Sequence, residues 1–84
     1  MISFIEFADY VVGPDDSLCE KGMIDNLSEC EKAANQLNLD FVTHVNETNY
    51  PGGCYFLYPQ AVYFNENFAG TSHKSANPIC GRGK

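Results

Sequence analysis

The apolar and polar positions divide the chain into a β-rich beginning, one amphipathic stretch and further β-rich runs. Residues 2–12 are rich in β-branched and aromatic side chains, which predicts an N-terminal strand or extended arm. Residues 13–17 (Gly-Pro-Asp-Asp-Ser) then predict a turn, because proline fixes φ and aspartate side chains bond the local backbone. The adjacent Asp15 and Asp16 are interpreted as solvated groups of this turn and not as a calcium site.

The amphipathic stretch predicts a helix at about residues 29–38. Ser28 followed by Glu31 matches the capping box, and Asn38 is a residue that can end a helix. The apolar positions recur at helical spacing on one face: Cys30, Ala33, Ala34 and Leu37. We therefore expect one side of this helix, including Cys30, to pack on an apolar surface.

Three further segments carry most of the β-forming residues. Residues 41–45 combine β-branched and aromatic side chains and predict a strand. Residues 54–58 and 61–65 are separated only by Pro59-Gln60, which predicts a β-hairpin. Residues 67–77 are small and polar and predict a loop.

These elements predict one domain over residues 1–84, with a core at about 17–80, an N-terminal strand or arm at 1–16 and a frayed tail at 81–84. The expected fold class is α+β, with one helix packed on a small antiparallel sheet. A domain of 84 residues buries roughly 60–65% of its unfolded surface, so its core alone gives marginal stability. Such domains usually need covalent or metal reinforcement.

The candidates for this reinforcement are the four cysteines: Cys19, Cys30, Cys54 and Cys80. They are separated by 10, 23 and 25 residues, whereas zinc sites use close pairs of cysteines. An even number of widely spaced cysteines in a small chain favours two disulfides over a metal site or four free thiols. Two disulfides imply an extracellular or secretory location, or alternatively the thylakoid lumen or another oxidising lumen.

Four cysteines allow three pairings, and the sequence does not select one. We prefer Cys19–Cys80, which closes the domain, together with Cys30–Cys54, which joins the helix to the hairpin. The other two pairings remain open at this point.

Two Asn-x-Ser/Thr sequons, at Asn26 and Asn46, are candidate N-glycosylation sites and favour the secretory route. Asn46 lies in a polar loop and is the better acceptor, because Ser28 of the first sequon also has a role as a helix cap. No stretch predicts a signal peptide or a transmembrane helix, so we expect no direct membrane insertion and a portion of a longer precursor. If Met1 is instead the true start, the compartment argument is wrong.

The net charge of −6 and the scattered basic residues exclude one class of partner. Nucleic-acid binding requires clustered basic residues that displace counterions from phosphates, and anionic membranes are disfavoured for the same reason. The only histidines, His44 and His73, lie outside any known catalytic motif, and we interpret them as a strand-face residue and a solvated loop residue. We therefore expect no catalytic residue, metal site or cofactor, and a protein that is not an enzyme.

Three segments of the chain resemble a cysteine-rich module that recurs in predicted proteins of algae and other protists: Gly53-Cys54-Tyr55, Val62-Tyr63-Phe64-Asn65 and Pro78-Ile79-Cys80. That module also places a cysteine before an S-x-x-x-C-x-x-A-A type helix, to which Cys19 and residues 29–34 correspond. The resemblance covers roughly residues 17–80 and implies a repeated domain unit without a function. More loosely, the joining of helix to sheet is similar to PAN/apple modules, which bind proteins or sugars through a different cysteine pattern.

The predicted hairpin offers the candidate surface for partners. Side chains alternate between the two faces of a strand. If Cys54 points toward the helix, Phe56 and Tyr58 share its face, and a two-residue turn places Ala61 and Tyr63 on that face too. The opposite face then carries an apolar set: Tyr55, Leu57, Val62 and Phe64. One helix cannot cover both faces, so either residues 2–12 or a partner covers the second one.

These features favour a non-catalytic protein-interaction module of an extracellular or lumenal protein. The alternative is a structural or peripheral subunit of a larger assembly or repeat polymer, which self-associates. A third hypothesis is a carbohydrate-binding module, because tyrosines beside amide side chains are suited to glycans.

Overall fold

The computed structural model describes residues 9–82, which form one helix and five strands. The strands are β1 (Tyr10–Val12), β2 (Asp40–Val45), β3 (Gly53–Leu57), β4 (Ala61–Asn65) and β5 (Ala76–Gly81), and the helix α1 spans Leu27–Gln36. The predicted α+β fold, one helix on a small sheet held by two disulfides, is confirmed. Most of the predicted N-terminal strand, at residues 1–8, and the end of the predicted tail, at 83–84, lie outside the described residues.

The five strands form one sheet in the order β1-β5-β3-β4-β2. The pairs β1–β5, β5–β3 and β3–β4 are antiparallel, as predicted, whereas β2 pairs with β4 in parallel. β2 is parallel to β4 because the chain leaves β2 through the loop at 46–52 and enters β3 before it reaches β4. The described part of the N-terminal segment extends the edge of the sheet beside β5 and does not cover a face.

The strand β5 occupies an inner position that the sequence did not predict. The predicted loop at 67–77 overlaps its start, and the predicted frayed tail begins at Gly81, its last residue. Pro78 cannot donate a ladder hydrogen bond, so a proline argues against an inner strand. Here the Pro78 carbonyl accepts a hydrogen bond from the Gly13 N–H at 2.8 Å, just beyond the end of β1. The Gly13 carbonyl accepts a hydrogen bond from Asn77 Nδ2 at 3.0 Å, so it has a donor although Pro78 has no N–H.

The helix α1 begins at a different cap from the predicted Ser28. Asn26 is the N-cap, and its Oδ1 accepts a hydrogen bond from the Glu29 N–H at 2.8 Å. The Ser28 hydroxyl donates to the same Oδ1 at 3.0 Å and so supports the cap. At the other end, Asn38 has a left-handed φ of 62° and terminates the helix, as predicted.

Both disulfides follow the preferred pairing. Cys30–Cys54 joins α1 to β3 with a Cα–Cα distance of 5.4 Å, and Cys19–Cys80 joins the loop before α1 to β5 with a distance of 5.8 Å. The first disulfide lies inside the hydrophobic core between α1 and the sheet. The buried members of this core are Tyr10, Ile24, Cys30, Ala33, Ala34, Cys54, Val62, Phe64 and Ile79.

One buried polar side chain fixes the loop at 46–52 to the sheet. Asn65, at the end of β4, is 0% exposed. Its Oδ1 accepts hydrogen bonds from the backbone N–H groups of Glu47 at 2.9 Å and Asn67 at 3.1 Å. Its Nδ2 donates to the carbonyl oxygens of Glu47 at 2.8 Å, Tyr50 at 3.1 Å and Pro51 at 3.1 Å. Asn65 therefore satisfies the backbone of a loop that forms no ladder of its own.

Candidate docking surface

The register of the β3–β4 hairpin separates the four residues predicted to form a partner-binding face. The connection between Leu57 and Ala61 contains three residues and not two, and Cys54 pairs with Phe64 while Phe56 pairs with Val62. Residues paired directly across two strands share a face. The prediction of one shared face is therefore wrong, because Val62 and Phe64 lie in the core against α1.

Tyr55 and Leu57 lie on the other side of the sheet, which we call the outer face. Tyr55 pairs with Tyr63, and Leu57 pairs with Ala61. Tyr55 itself is only 3% exposed, whereas Leu57 and Tyr63 are half-buried. The outer face therefore keeps part of the predicted aromatic set, but most of Tyr55 is unavailable to a partner.

Four rings form a stack that runs across the outer face. Tyr63 and Tyr55 have ring centroids 5.6 Å apart, Tyr55 and Tyr50 are 5.3 Å apart, and Tyr50 and His73 are 4.3 Å apart. The rings of each pair are within 19° of parallel. His73 was expected to be solvated, yet it is half-buried, and its Nδ1 accepts a hydrogen bond from the Ser75 N–H at 3.0 Å.

The stacked arrangement determines what the outer face can bind. Rings at this spacing contact one another through their flat faces, so only Tyr63 and His73, at the two ends, have a ring face without a stacked neighbour in the series. Sugar binding through aromatic residues uses flat ring faces, and this stack offers no broad platform of them. Burial, with smaller contributions from Tyr50, Tyr63 and Glu47, raises the pKa of Tyr55 above its ordinary value of 10.0. The stack thus stabilises the outer face, and the Tyr55 hydroxyl stays neutral at physiological pH.

A second surface lies at the end of the sheet opposite the hairpin connection. Three large apolar side chains converge there although each is substantially exposed: Leu18 at 48%, Met23 at 43% and Phe68 at 48%. They line an open cleft of about 80 Å³ together with Cys19, Gly52 and Gly70. We call this feature the apolar cleft. Three of the seven exposed large apolar residues among positions 9–82 therefore meet at one place.

The walls of the apolar cleft are fixed by the fold. Cys19 is tied to β5 through Cys80, and the ring of Phe68 packs edge-on against core residue Phe64 with centroids 6.0 Å apart. A Cβ on Gly52 would lie 2.7 Å from the Phe68 Cα, so a side chain at that position cannot fill the cleft without moving the backbone. The cleft is therefore a preformed feature of the folded domain.

The cysteines and histidines that were considered for catalysis have identifiable places among residues 9–82. Both disulfides are formed, so none of the four cysteines remains as a thiol nucleophile. Within residues 9–82, no group of three or more histidine, cysteine, aspartate or glutamate side chains could hold a metal ion. His44 is exposed on β2, and its Nε2 lies 3.4 Å from Glu66 Oε2, which is an ordinary surface contact.

The two sequon asparagines are both exposed and lie on different elements. Asn26 is the N-cap of α1, and a glycan on its Nδ2 leaves Oδ1 available for the cap. Asn46 directly follows β2 in the loop that Asn65 anchors. The folded domain can accommodate a modification at either position.

The comparisons with known proteins identify no relative. No protein-family model matches the chain, and no curated protein or solved structure is significantly similar to it. Among residues 9–82, no helix has the length and apolar character needed to cross a membrane.

The residues of the apolar cleft were not among those predicted from the sequence to bind a partner. Leu18, Met23 and Phe68 lie in turn-rich segments that have no periodic apolar pattern. Leu18 and Phe68 have only polar or small neighbours in the sequence, Met23 is followed by Ile24, and only the tertiary structure brings the three together. An isolated apolar residue beside a disulfide cysteine, such as Leu18, is the one indication that sequence inspection could have used.

Proposed function

We propose that this protein is a non-catalytic protein-interaction module of an extracellular or other oxidising-lumen protein, and that it binds its partner through the apolar cleft. The observation that supports this most directly is the convergence of exposed Leu18, Met23 and Phe68 on one preformed cleft. Exposed apolar side chains that cluster on a rigid surface are typical of protein-contact sites.

The scaffold also fits a binding role. The disulfides and the Asn65 hydrogen bonds fix the loops, so a partner would meet a surface that is already ordered. Preorganisation reduces the entropy lost on binding and favours affinity from a small contact area. Aromatic and methionine side chains, here Phe68 and Met23, are enriched at the centres of such contacts.

The experiment compares three forms of the oxidised protein: wild type, Leu18→Ser/Met23→Ser/Phe68→Ser, and the control Val42→Ser/Leu27→Ser. Val42 and Leu27 are also exposed, at 51% and 39%, but neither lines the cleft. The partner is isolated from the fluid around the source cells. After purification, its binding to each of the three forms is measured. We expect wild type and control to bind equally and the cleft variant at least tenfold more weakly, a loss of about 1.4 kcal/mol.

Equal binding by all three forms would reject the cleft as the site. This comparison requires the same melting temperature in all three forms. The five substituted side chains are each at least 39% exposed, and Phe68 also has a ring contact with Phe64 of the core. If the recovered partner is a second copy of the chain, the structural-subunit hypothesis replaces the interaction module, and sedimentation of wild type and the cleft variant measures that directly.

The compartment has a separate test by intact mass of the natural protein before and after reduction and glycosidase treatment. We expect a gain of four hydrogen masses on reduction, from the two disulfides. A glycan released from Asn46 or Asn26 would identify the secretory route. Free thiols in the natural protein would overturn the assignment to an oxidising compartment.

A further inference from the structure

The two disulfides differ in their exposure to solvent. Cys30 and Cys54 are 0% and 1% exposed, and their disulfide lies in the core between α1 and β3. Cys19 and Cys80 are both half-buried, and Cys19 also lines the open apolar cleft. Exchange between a thiol and a disulfide requires that a thiolate reach a sulfur atom, so its rate depends on access. A thiol reductant therefore has a route to Cys19–Cys80 in the folded domain, whereas Cys30–Cys54 is accessible only when the core opens.

Cys19–Cys80 is also the main connection that holds residues 18–21 against the sheet. Among residues 9–82, no hydrogen bond joins this segment to another part of the domain. The positions on either side are attached independently of the disulfide. The Asp16 N–H donates to a carbonyl of the loop before β5 at 3.1 Å, and the Gly81 N–H donates to the Gly22 carbonyl at 2.7 Å. Cleavage of the disulfide should therefore release residues 18–21, which include part of the cleft wall, while their neighbours stay in place.

We propose that Cys19–Cys80 is a thiol–disulfide exchange site, which a dithiol reductant cleaves in the folded domain, and that this cleavage opens the apolar cleft. A thiolate of the reductant attacks the Cys19 sulfur, and Cys80 leaves as a thiolate and takes up a proton. The second thiol of the reductant loses its proton and attacks the reductant's own sulfur in the mixed disulfide, which releases Cys19 as a thiol. Two electrons pass to the protein, the reductant becomes a disulfide, and Cys30–Cys54 stays oxidised.

This exchange step gives the apolar cleft two states. In the oxidised protein, Leu18 is held in the wall of the cleft together with Met23 and Phe68. After cleavage, Leu18 can leave that wall, so the cleft loses one of its three large apolar side chains. The oxidised form is then the one that binds, and a reductant acts as a signal for release. Control of partner binding by this disulfide rests on the proposed function, whereas the exchange step itself does not.

The test treats the oxidised full chain with dithiothreitol at neutral pH, traps free thiols with a maleimide, and locates them by peptide mass spectrometry. We expect Cys19 and Cys80 to be labelled at least about tenfold faster than Cys30 and Cys54. Cys30–Cys54 is the matched internal control, because it meets the same reductant in the same molecules. Amide hydrogen exchange of the partly reduced protein should rise at residues 18–21 and stay unchanged in β3 and β4. The variant Cys19→Ala/Cys80→Ala should show the same faster exchange without any reductant.

Equal labelling rates at the two disulfides, or faster labelling of Cys30 and Cys54, would overturn the exchange site. Loss of the near-ultraviolet circular dichroism of the tyrosines as Cys19–Cys80 is cleaved would also overturn it, because the domain would then unfold instead of opening locally. Unchanged hydrogen exchange at residues 18–21 after cleavage would mean that the disulfide does not hold the cleft wall, which rejects the proposal. None of these readouts involves the partner, so they are independent of the binding experiment that tests the proposed function.

Discussion

The hydrogen bonds of Asn65 give the sharpest prediction about stability. Replacement by alanine removes five bonds and leaves two partly buried backbone donors and three carbonyls without their partner. The two hydrogens of Nδ2 serve three carbonyls, so the five bonds are worth less than five independent ones. At about 1 kcal/mol for each net bond, we expect Asn65→Ala to lower the free energy of unfolding by about 3–4 kcal/mol.

This loss is large for a domain of 84 residues, whose whole stability is expected to be roughly 4–13 kcal/mol. It corresponds to a fall in melting temperature of roughly 15–30 °C. The assay is guanidinium unfolding with both disulfides intact, followed by near-ultraviolet circular dichroism of the tyrosines, because the chain has no tryptophan.

The matched control is Asn67→Ala. Asn67 lies two residues away, and its Oδ1 accepts one exposed hydrogen bond, from the Ala69 N–H at 3.1 Å. We expect this variant to lose less than about 1 kcal/mol. If Asn65→Ala is no less stable than Asn67→Ala, the loop at 46–52 does not depend on Asn65, and the reasoning fails.

The substitution Asn65→Asp separates hydrogen bonding from packing. It keeps an acceptor for the two N–H groups but places a buried carboxylate against three carbonyl oxygens. Burial should raise the pKa of the new carboxyl in the folded state above about 3.9, its unfolded value. The variant should therefore be most stable below about pH 4 and lose stability as pH rises through the folded pKa. Stability that rises with pH over this range would contradict the geometry.

Three further predictions concern the core, the outer face and the helix cap. Removing the Cys30–Cys54 disulfide, whose cysteines are 24 positions apart, should cost about 3.5 kcal/mol in denaturant unfolding from loop entropy alone, and a loss below about 1 kcal/mol would contradict this. Burial raises the pKa of Tyr55 above 10.0, so its phenolate absorbance should appear at higher pH in alkaline titration than that of a free tyrosine. The contribution of Tyr55 to stability is complete below pH 10 and is lost as pH rises further. If the folded protein shows no phenolate absorbance that is delayed beyond that of free tyrosine, a buried Tyr55 is excluded. Asn26→Ala should destabilise the protein by about 1 kcal/mol and Ser28→Ala by less, and the reverse order would restore Ser28 as the cap.

The sequence predicts the local elements of this fold well, for identifiable reasons. The spacing of Cys30, Ala33 and Ala34 is helical, and these residues form the buried side of α1. The β-branched and aromatic runs at 41–45 and in the hairpin become β2, β3 and β4. The preferred disulfide pairing followed from placing one cysteine on the helix and another at the start of the hairpin.

The predictions that were wrong concern features that the local pattern of residues does not determine. One extra residue in the hairpin connection reverses the face of every residue in β4, so Val62 and Phe64 moved from the predicted surface into the core. The strand β5 contains Pro78, which argues against an inner strand. β5 is nevertheless an inner strand, because β1 ends at Val12, just before the residue that lies beside Pro78. The cap Asn26 competes with Ser28, and both residue types are favoured at that position.

The apolar cleft could not be predicted from the sequence, because its residues come from separate segments of the chain. Leu18, Met23 and Phe68 become neighbours only when the Cys19–Cys80 disulfide and the loop beyond β4 are in place. Sequence reasoning placed the partner surface on the hairpin, where aromatic residues are densest. In the structure, Phe56 and Phe64 of the hairpin pack in or against the core, and Tyr55 and Tyr63 belong to the ring stack of the outer face.

The most direct test of the apolar cleft as the partner surface is photo-crosslinking in the source cells, with a photoreactive phenylalanine analogue placed singly at three positions. Phe68 reports on the cleft, Tyr63 on the outer face and Val42 on the exposed edge strand. If the apolar cleft is the partner surface, we expect a specific partner adduct from position 68 and none above background from 63 or 42. An adduct from position 63 without one from 68 would contradict it and return the binding role to the aromatic outer face.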